Sequence, residues 1–183
     1  NIANELKNAE GTYTGDIAGN LVVNTENVVL KDMVIYGDLI LAQGIASGTV
    51  TLDNAVVNGR TVVLGGGEQS IVLNNTLLKG TLIVIKYDGK VRIVAKGSTD
   101  ASDIMLNSGA RLEGDDELTG AGFGNVEIME IPEGQEIILD GDFDEVIVSA
   151  PGVGINITDG SVGTLELTEE ATGSTVKVSE AAA

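Results

Sequence analysis

The chain contains no histidine, no cysteine and no tryptophan among its 183 residues. Without histidine or cysteine it cannot form a Ser-His-Asp triad, a thiol nucleophile, a Cys/His zinc site or a disulfide. A continuous apolar run of about 18 residues, the length that spans a membrane, is also missing. Cysteine-free proteins occur both inside and outside cells, so this absence leaves the compartment open.

Positive charge is scarce as well. Ten Lys and Arg residues stand against 28 Asp and Glu, which gives a formal net charge of −18. Because such a negative field repels nucleic-acid phosphate, we expect no nucleic-acid partner. The hydrophobic fraction is 43%, which is too high for a disordered acidic tail. The length is sufficient for one domain with a full-sized core.

Three consecutive segments repeat one pattern. Residues 28–37, 50–59 and 71–80 read VVLKDMVIYG, VTLDNAVVNG and IVLNNTLLKG, and a further apolar run follows each final glycine. Three short β-rich runs separated by turn residues describe one rung, or coil, of a parallel β-helix. Antiparallel hairpins would need two-residue turns and would not keep this repeat in register. The pattern therefore predicts a solenoid, in which each coil buries its apolar positions against its neighbours.

The fold class predicted from this repeat is all-β: a right-handed, single-stranded parallel β-helix of about eight coils of roughly 21 residues. Residues 1–11 are predicted to cap its open end as a short helix, because Ile2, Leu6 and Ala9 have helical spacing. Residues 12–183 then form the β-helix as a single domain, with a loop at the Gly- and acid-rich residues 113–124. Since the chain starts without a methionine and ends without a turn signal, we expect a fragment of a longer protein.

Each coil has two corners with recognisable residue types. The first corner carries a short polar residue that tolerates a left-handed backbone, and the second carries a glycine for which we expect a positive φ. The polar positions are Asp32, Asn54 and Asn75, and the glycines are Gly37, Gly59 and Gly80. The third corner varies in length from coil to coil.

Parts of the chain resemble a known family. The phrases VTLDN and VNG within residues 50–59, VRIVAKG at 91–97 and LTGAGFGNV at 118–126 resemble a β-helix region of large bacterial surface proteins that also carry S-layer homology (SLH) modules. The resemblance extends over nearly all of residues 12–183, although no SLH module is present. It implies export to the bacterial cell surface or cell wall and a structural role as a rigid spacer or an assembly and display rod. The implied partners are neighbouring copies of the surface protein or cell-wall components.

Carboxylates are the only candidate catalytic groups in this sequence. A glycosidase needs two carboxyl groups roughly 5–9.5 Å apart, which on a solenoid would stack in adjacent coils. The predicted column of Lys31, Asp53 and Asn74 holds no such pair, so we expect no catalysis. The register of the downstream acidic residues is not given by the sequence. The alternatives are therefore an extracellular β-helix that binds or cleaves a polysaccharide with carboxylates, and an adhesin passenger segment.

Calcium is the one candidate cofactor. Asp140, Asp142 and Asp144 place carboxylates at alternate positions, as at the start of a calcium-binding loop. The segment lacks the glycine at the sixth position and the glutamate at the twelfth that an EF-hand requires, since Pro151 stands there. The other interpretation is an acidic, solvated corner of a coil.

An apolar stripe is the candidate interaction surface. Each run after a repeat glycine is apolar at every position, and alternation along a strand sends only one set of side chains inward. The outward set is predicted to be Ile40, Val63 and Ile83, stacked in adjacent coils. We expect this stripe to support side-by-side assembly.

Overall fold

The computed structural model describes residues 4–68, 71–86 and 88–182. The predicted fold class is confirmed: the chain is an all-β solenoid of about eight stacked coils joined by parallel pairing. Among the described residues, the only helical segments are two single 3-10 turns, Gln43–Ile45 and Glu169–Ala171.

The described residues form seventeen strands. In chain order they are β1 (Asn4–Lys7), β2 (Gly11–Thr14), β3 (Asn20–Val23), β4 (Val28–Ile35), β5 (Leu39–Leu41), β6 (Val50–Val57), β7 (Thr61–Val63), β8 (Ile71–Asn74), β9 (Leu77–Leu78), β10 (Leu82–Val84), β11 (Val91–Gly97), β12 (Asp100–Leu106), β13 (Ala110–Leu118), β14 (Gly122–Ile128), β15 (Glu136–Val148), β16 (Gly154–Leu167) and β17 (Thr175–Val178).

The strands stack into three faces. The first face consists of β2, β8, β11, β13 and β17 with the N-terminal parts of β4, β6, β15 and β16. The third face consists of β1, β3, β5, β7 and β10 with the C-terminal parts of β12, β14, β15 and β16. The second face lies between them and contains β9 and the remaining segments of the longer strands. Each long strand therefore turns a corner without leaving the parallel ladder.

The core is a set of columns that run through the coils. Leu30, Leu52 and Leu73 are paired in register on the first face, and all three are buried. On the second face the rings of Phe123 and Phe143 stack with centroids 5.9 Å apart. Burial of one such side chain contributes roughly 1.5–3 kcal/mol. Because the columns continue from coil to coil, the apolar core is one cluster along the described solenoid.

The polar corner has the backbone that the sequence predicts. Asp32, Asn54 and Asn75 have φ values of 52°, 52° and 48°, which is the left-handed region. The side chains also connect the coils, since Asn54 Nδ2 donates to Asp32 Oδ1 at 2.8 Å. These residue types are tolerated here because a short polar side chain lowers the cost of a left-handed backbone.

Glycine recurs at the second corner of each repeat for a different reason from the one expected. Gly37, Gly59 and Gly80 are absent from the residues with positive φ, so that expectation is wrong. A Cβ on Gly59 would lie 2.5 Å from the carbonyl oxygen of Gly37 and would also collide with Asp38 Oδ1. Gly59 N donates to that same carbonyl at 2.9 Å. The glycines therefore allow the backbones of adjacent coils to approach closely.

The N-terminal helix expected over residues 1–11 is not found in the described part of that segment. Residues 4–7 form β1, which pairs in parallel with β3. A strand satisfies the unpaired backbone groups at the edge of β3, which a helix cannot do. Lys7 of this strand lies over the ring of Tyr13 at 4.7 Å and pairs with Glu5 at 3.5 Å. Residues 1–3, including Ile2 of the expected helix, lie outside the described residues.

The loop expected over residues 113–124 is not found, so this expectation is wrong as well. Strand β13 continues to Leu118 and β14 begins at Gly122, so only residues 119–121 separate them. Glu113 pairs in register with Val94 on one side and Asp140 on the other. The two neighbouring strands supply backbone hydrogen bonds to a segment whose glycine and acid content alone is typical of a loop.

Candidate functional site

A group of charged side chains crosses three adjacent coils of the first face. Arg92 lies on β11, Arg111 and Glu113 on β13, and Asp140 on β15. The register places Arg92 beside Arg111 and Glu113 beside Asp140, with one inward residue between the two columns. Alternation along the strands therefore directs all four side chains outward on the same face. We call these four residues the charge ladder.

The charge ladder is held by short contacts between coils. Arg92 donates from Nε to Glu113 Oε2 and from Nη2 to Glu113 Oε1, both at 2.8 Å. Arg111 donates from Nε to Glu113 Oε2 at 3.1 Å and from Nη2 to Asp140 Oδ2 at 2.6 Å. Two-pronged contacts between guanidinium and carboxylate are among the strongest ion pairs in proteins. Each positive charge of the ladder is therefore matched by a carboxylate.

The two carboxylates of the ladder have opposite shifts in pKa. Hydrogen bonds from Arg92 lower the pKa of Glu113 below its usual range, and they raise the pKa of Arg92 in turn. Burial raises the pKa of Asp140, and the carboxylates of Glu113 and Asp159 act in the same direction. These effects outweigh the contact with Arg111, which lowers the pKa of Asp140.

Three members of the ladder, Arg92, Arg111 and Glu113, line a cavity of about 610 Å³ together with Glu68, Lys90 and Ile138. At its margin Lys90 Nζ donates to Glu136 Oε1 at 2.8 Å. Glu113 and Asp140 form the stacked carboxylate pair that the sequence did not reveal, because it depends on the register of β13 with β15. Both oxygens of Glu113 accept hydrogen bonds from arginine, however, so neither is presented as a free nucleophile or base.

Two smaller cavities lie along the variable third corner. One has a volume of about 420 Å³ and the other of about 390 Å³, and Ser47, Lys86 and Asp88 line both. The smaller one shares Glu68 and Lys90 with the cavity of the charge ladder. The sequence analysis did not identify this region as a candidate site. The pattern that could have indicated it is the pair Lys86 and Lys90 beside the corner that changes length between coils.

The predicted calcium residues lie on one continuous strand, β15. Asp140 contacts Arg111, and Asp142 accepts a hydrogen bond from Ser161 Oγ at 2.9 Å, while Asp144 is exposed. Alternate residues of a strand are about 6.5 Å apart, which is far wider than the spacing of ligands around calcium. Over the part of the chain that the structure describes, no three acidic side chains are grouped to hold a metal ion. Calcium binding by these residues stays a prediction.

The apolar stripe is present on the third face, with one change of residue. Ile40, Val62 and Ile83 are paired in register and half-buried, whereas Val63 is fully buried. The prediction of Val63 as an outward residue is therefore wrong. Strand β7 begins with buried Thr61, one residue before the apolar run begins. Thr61 and Val63 therefore point inward, and Val62 between them points outward. We call Ile40, Val62 and Ile83 the apolar stripe; Val22 and Met105 extend its column at either end.

Comparisons of the chain with protein-family models, with curated proteins and with solved structures find no match. Residues 4–68, 71–86 and 88–182 include no helix that is long and apolar enough to span a bilayer. The fold and the geometry of its surface are therefore the basis for a functional assignment.

Proposed function

We propose that this chain is a non-catalytic structural solenoid of an exported bacterial surface protein, in which it acts as a rigid spacer or as an assembly and display rod. The observation that carries the proposal is the continuity of the parallel ladder and core through about eight coils. Coils that share one core and one ladder are held in a fixed stack, because each coil packs against the coils next to it through the same parallel pairing. The resemblance of three sequence phrases to S-layer-type surface proteins supports the location at the cell surface.

The charge ladder supports a structural role over a catalytic one. Its arginines and carboxylates are bound to one another across three coils, so they stabilise the stacking of β11, β13 and β15. A retaining or inverting glycosidase needs one carboxyl group that is free to attack or to activate water. Glu113 does not meet this requirement because arginine occupies both of its oxygens.

The apolar stripe supports assembly with neighbouring copies. Ile40, Val62 and Ile83 are aligned over three coils, and no charged side chain interrupts them. Apolar surface that recurs at the spacing of the strands fits a second copy that packs its own sheet alongside. We therefore expect lateral association of the rods through this stripe.

The assembly component is tested by replacing Ile40, Val62 and Ile83 together with lysine. The matched control replaces Val29, Thr51 and Val72, an outward column on the first face that crosses three coils in the same way. Sedimentation velocity at high protein concentration should show association in the wild type and the control, and its loss in the stripe variant. Equal association of all three proteins would exclude the stripe as the interface.

The location is tested in the bacterium that produces the protein. After fractionation, an antibody to the chain should detect it in the cell envelope, and protease added outside intact cells should remove the signal. A signal that stays in the cytosolic fraction and survives external protease would contradict the proposed role. Assays for release of reducing sugar from acidic and neutral polysaccharides should give no activity.

A further inference from the structure

Lys86 is a buried cation that has only long contacts to acceptors among the described residues. Its side chain is 7% exposed, and its only acceptors among the described residues are the carbonyl oxygen of Asp88 at 3.5 Å and Asp88 Oδ1 at 3.6 Å. The Asp88 side chain is itself 92% exposed, so water screens this long ion pair. An ammonium group carries three donors, and a buried charge requires a close partner to offset its desolvation. The Lys86 side chain is therefore poised to take a further negatively charged acceptor.

The space for such an acceptor adjoins the Lys86 side chain. Lys86 lines the two third-corner cavities, of about 420 Å³ and about 390 Å³, and its backbone is fixed by a hydrogen bond of 2.7 Å from its N–H to Ser108 Oγ. Lys90 lines the smaller cavity too, and its ammonium group, which donates one hydrogen bond to Glu136 at 2.8 Å, has two further donors. Because the smaller cavity shares lining residues with each of the other two, the three cavities adjoin one another, and we call them together the groove.

The charges in the groove restrict the class of ligand. Lys86 and Lys90 attract an anion. The carboxylates of Glu68 and Asp88 beside them repel a polymer that carries a negative charge on every repeating unit. The same carboxylates are good acceptors for hydroxyl groups. A ligand with one carboxylate and several hydroxyls satisfies both sets of side chains.

We propose that Lys86 and Lys90 bind the carboxylate of an acidic sugar, with Glu68 and Asp88 accepting hydrogen bonds from its hydroxyls. The groove is then a site at which the rod contacts a saccharide that carries isolated carboxylates among neutral units. This site does not depend on the spacer function, since a rod without it would be equally rigid.

The test is a calorimetric titration of the whole chain with three probes: glucuronate, glucose and inorganic phosphate. Glucuronate should bind, glucose should not, and phosphate should bind more weakly than glucuronate. Absence of glucuronate binding would overturn the proposal. Phosphate binding as tight as that of glucuronate would overturn the assignment to a sugar and leave a site for small oxyanions.

The matched variants are Lys86→Met and Lys31→Met, which remove one positive charge each. Lys31 is exposed on the first face and lines none of the three cavities. Lys86→Met should weaken glucuronate binding at least about tenfold, the loss expected for one charge-assisted contact, whereas Lys31→Met should leave it unchanged. Equal affinities of the two variants would contradict the proposal. If Lys86→Met does not fold, Lys90→Met gives the same test, because Lys90 lies on the groove margin and retains partial exposure.

Discussion

Arg92 and Glu113 form a two-pronged ion pair between adjacent coils, with both nitrogen–oxygen distances at 2.8 Å. Arg111 donates to the same carboxylate, so one glutamate bridges two arginines that are neighbours in register, and Asp140 supplies the second negative charge. The pair therefore stabilises the stacking of β11 on β13 in two ways. It adds charge-assisted hydrogen bonds, and it prevents repulsion between Arg92 and Arg111.

Replacement of Glu113 with glutamine should destabilise the fold. Glutamine keeps the shape of the side chain but removes the charge that holds Arg92 and Arg111 together. We expect the free energy of unfolding in urea to fall by about 1–2 kcal/mol. The control is Glu117→Gln, because Glu117 pairs with Lys96 at 3.7 Å on an exposed surface and should contribute almost nothing. Equal effects of the two substitutions would contradict the assignment.

The contribution of Glu113 should depend on pH. Because arginine lowers the pKa of Glu113 in the folded state, its stabilisation is present above the ordinary glutamate pKa of about 4.3 and is lost as the pH falls through the lower folded value. Asp140 has the opposite sign: its raised pKa means that its burial costs stability at high pH, and protonation relieves that cost as the pH falls. The difference in unfolding free energy between wild type and Glu113→Gln should therefore shrink from pH 7 to pH 3.

Gly59→Ala should be destabilising because the new methyl group would collide with the carbonyl of Gly37 in the preceding coil. Forcing an extra carbon into a packed position typically costs about 1–3 kcal/mol. Gly154 is the control, since a Cβ there meets no atom within 4 Å and its φ is not positive. Thermal unfolding should show a lower midpoint for Gly59→Ala and an unchanged or slightly higher one for Gly154→Ala. A normal midpoint for Gly59→Ala would contradict the close approach of the coils.

Val62 and Val63 provide a test of the register on the third face. Val63→Asp buries an unpaired carboxylate in the core and should lower the free energy of unfolding by several kcal/mol, a large share of the roughly 5–15 kcal/mol that an ordinary domain has. Val62→Asp places the same charge on the outward side and should leave the circular dichroism spectrum and the cooperative unfolding transition intact. If Val62→Asp were the variant that fails to fold, the strand would be in the opposite register.

The coil and its polar corner were predictable because they depend on local chemistry. The repeat spacing marks the coils, and Asp32, Asn54 and Asn75 belong to the few residue types that accept a left-handed backbone. The reason for glycine at position 59 was not predictable in the same way. The obstructing atom belongs to Gly37, 22 residues earlier, and its position is set by the stacking of coils.

The register errors have a similar origin. Thr61 is polar but buried, and it is the first residue of β7. The apolar run after Gly59 begins one residue after the strand does, so a prediction from hydropathy assigns Val63 to the outward side. Counting from the glycines would have corrected this, because Ile40 and Val62 each follow their corner glycine by three positions. The charge ladder was beyond such counting, since it depends on which residues of β13 and β15 are paired.

Calcium should not alter stability if Asp140 is engaged as the structure shows. With Asp140 bound to Arg111 and its neighbours spaced along a strand, the three aspartates do not converge on one ion. We therefore expect the same thermal midpoint in millimolar calcium and in EDTA. Magnesium at the same concentration controls for general screening of the net charge of −18. A large upward shift that calcium produces and magnesium does not would support a specific site at Asp140, Asp142 and Asp144.

The rigidity of the chain as a single rod is tested most directly by a distance between two spin labels. The absence of cysteine makes labelling specific, and Thr12→Cys and Asp159→Cys place exposed labels at two positions that are joined by register pairing through the first face. Seven register steps join these positions, so at about 4.8 Å per step they should be about 34 Å apart. Double electron–electron resonance should give one narrow distribution near that distance. A broad distribution, or a centre displaced by more than about two coils, would contradict the rigid solenoid and the spacer function built on it.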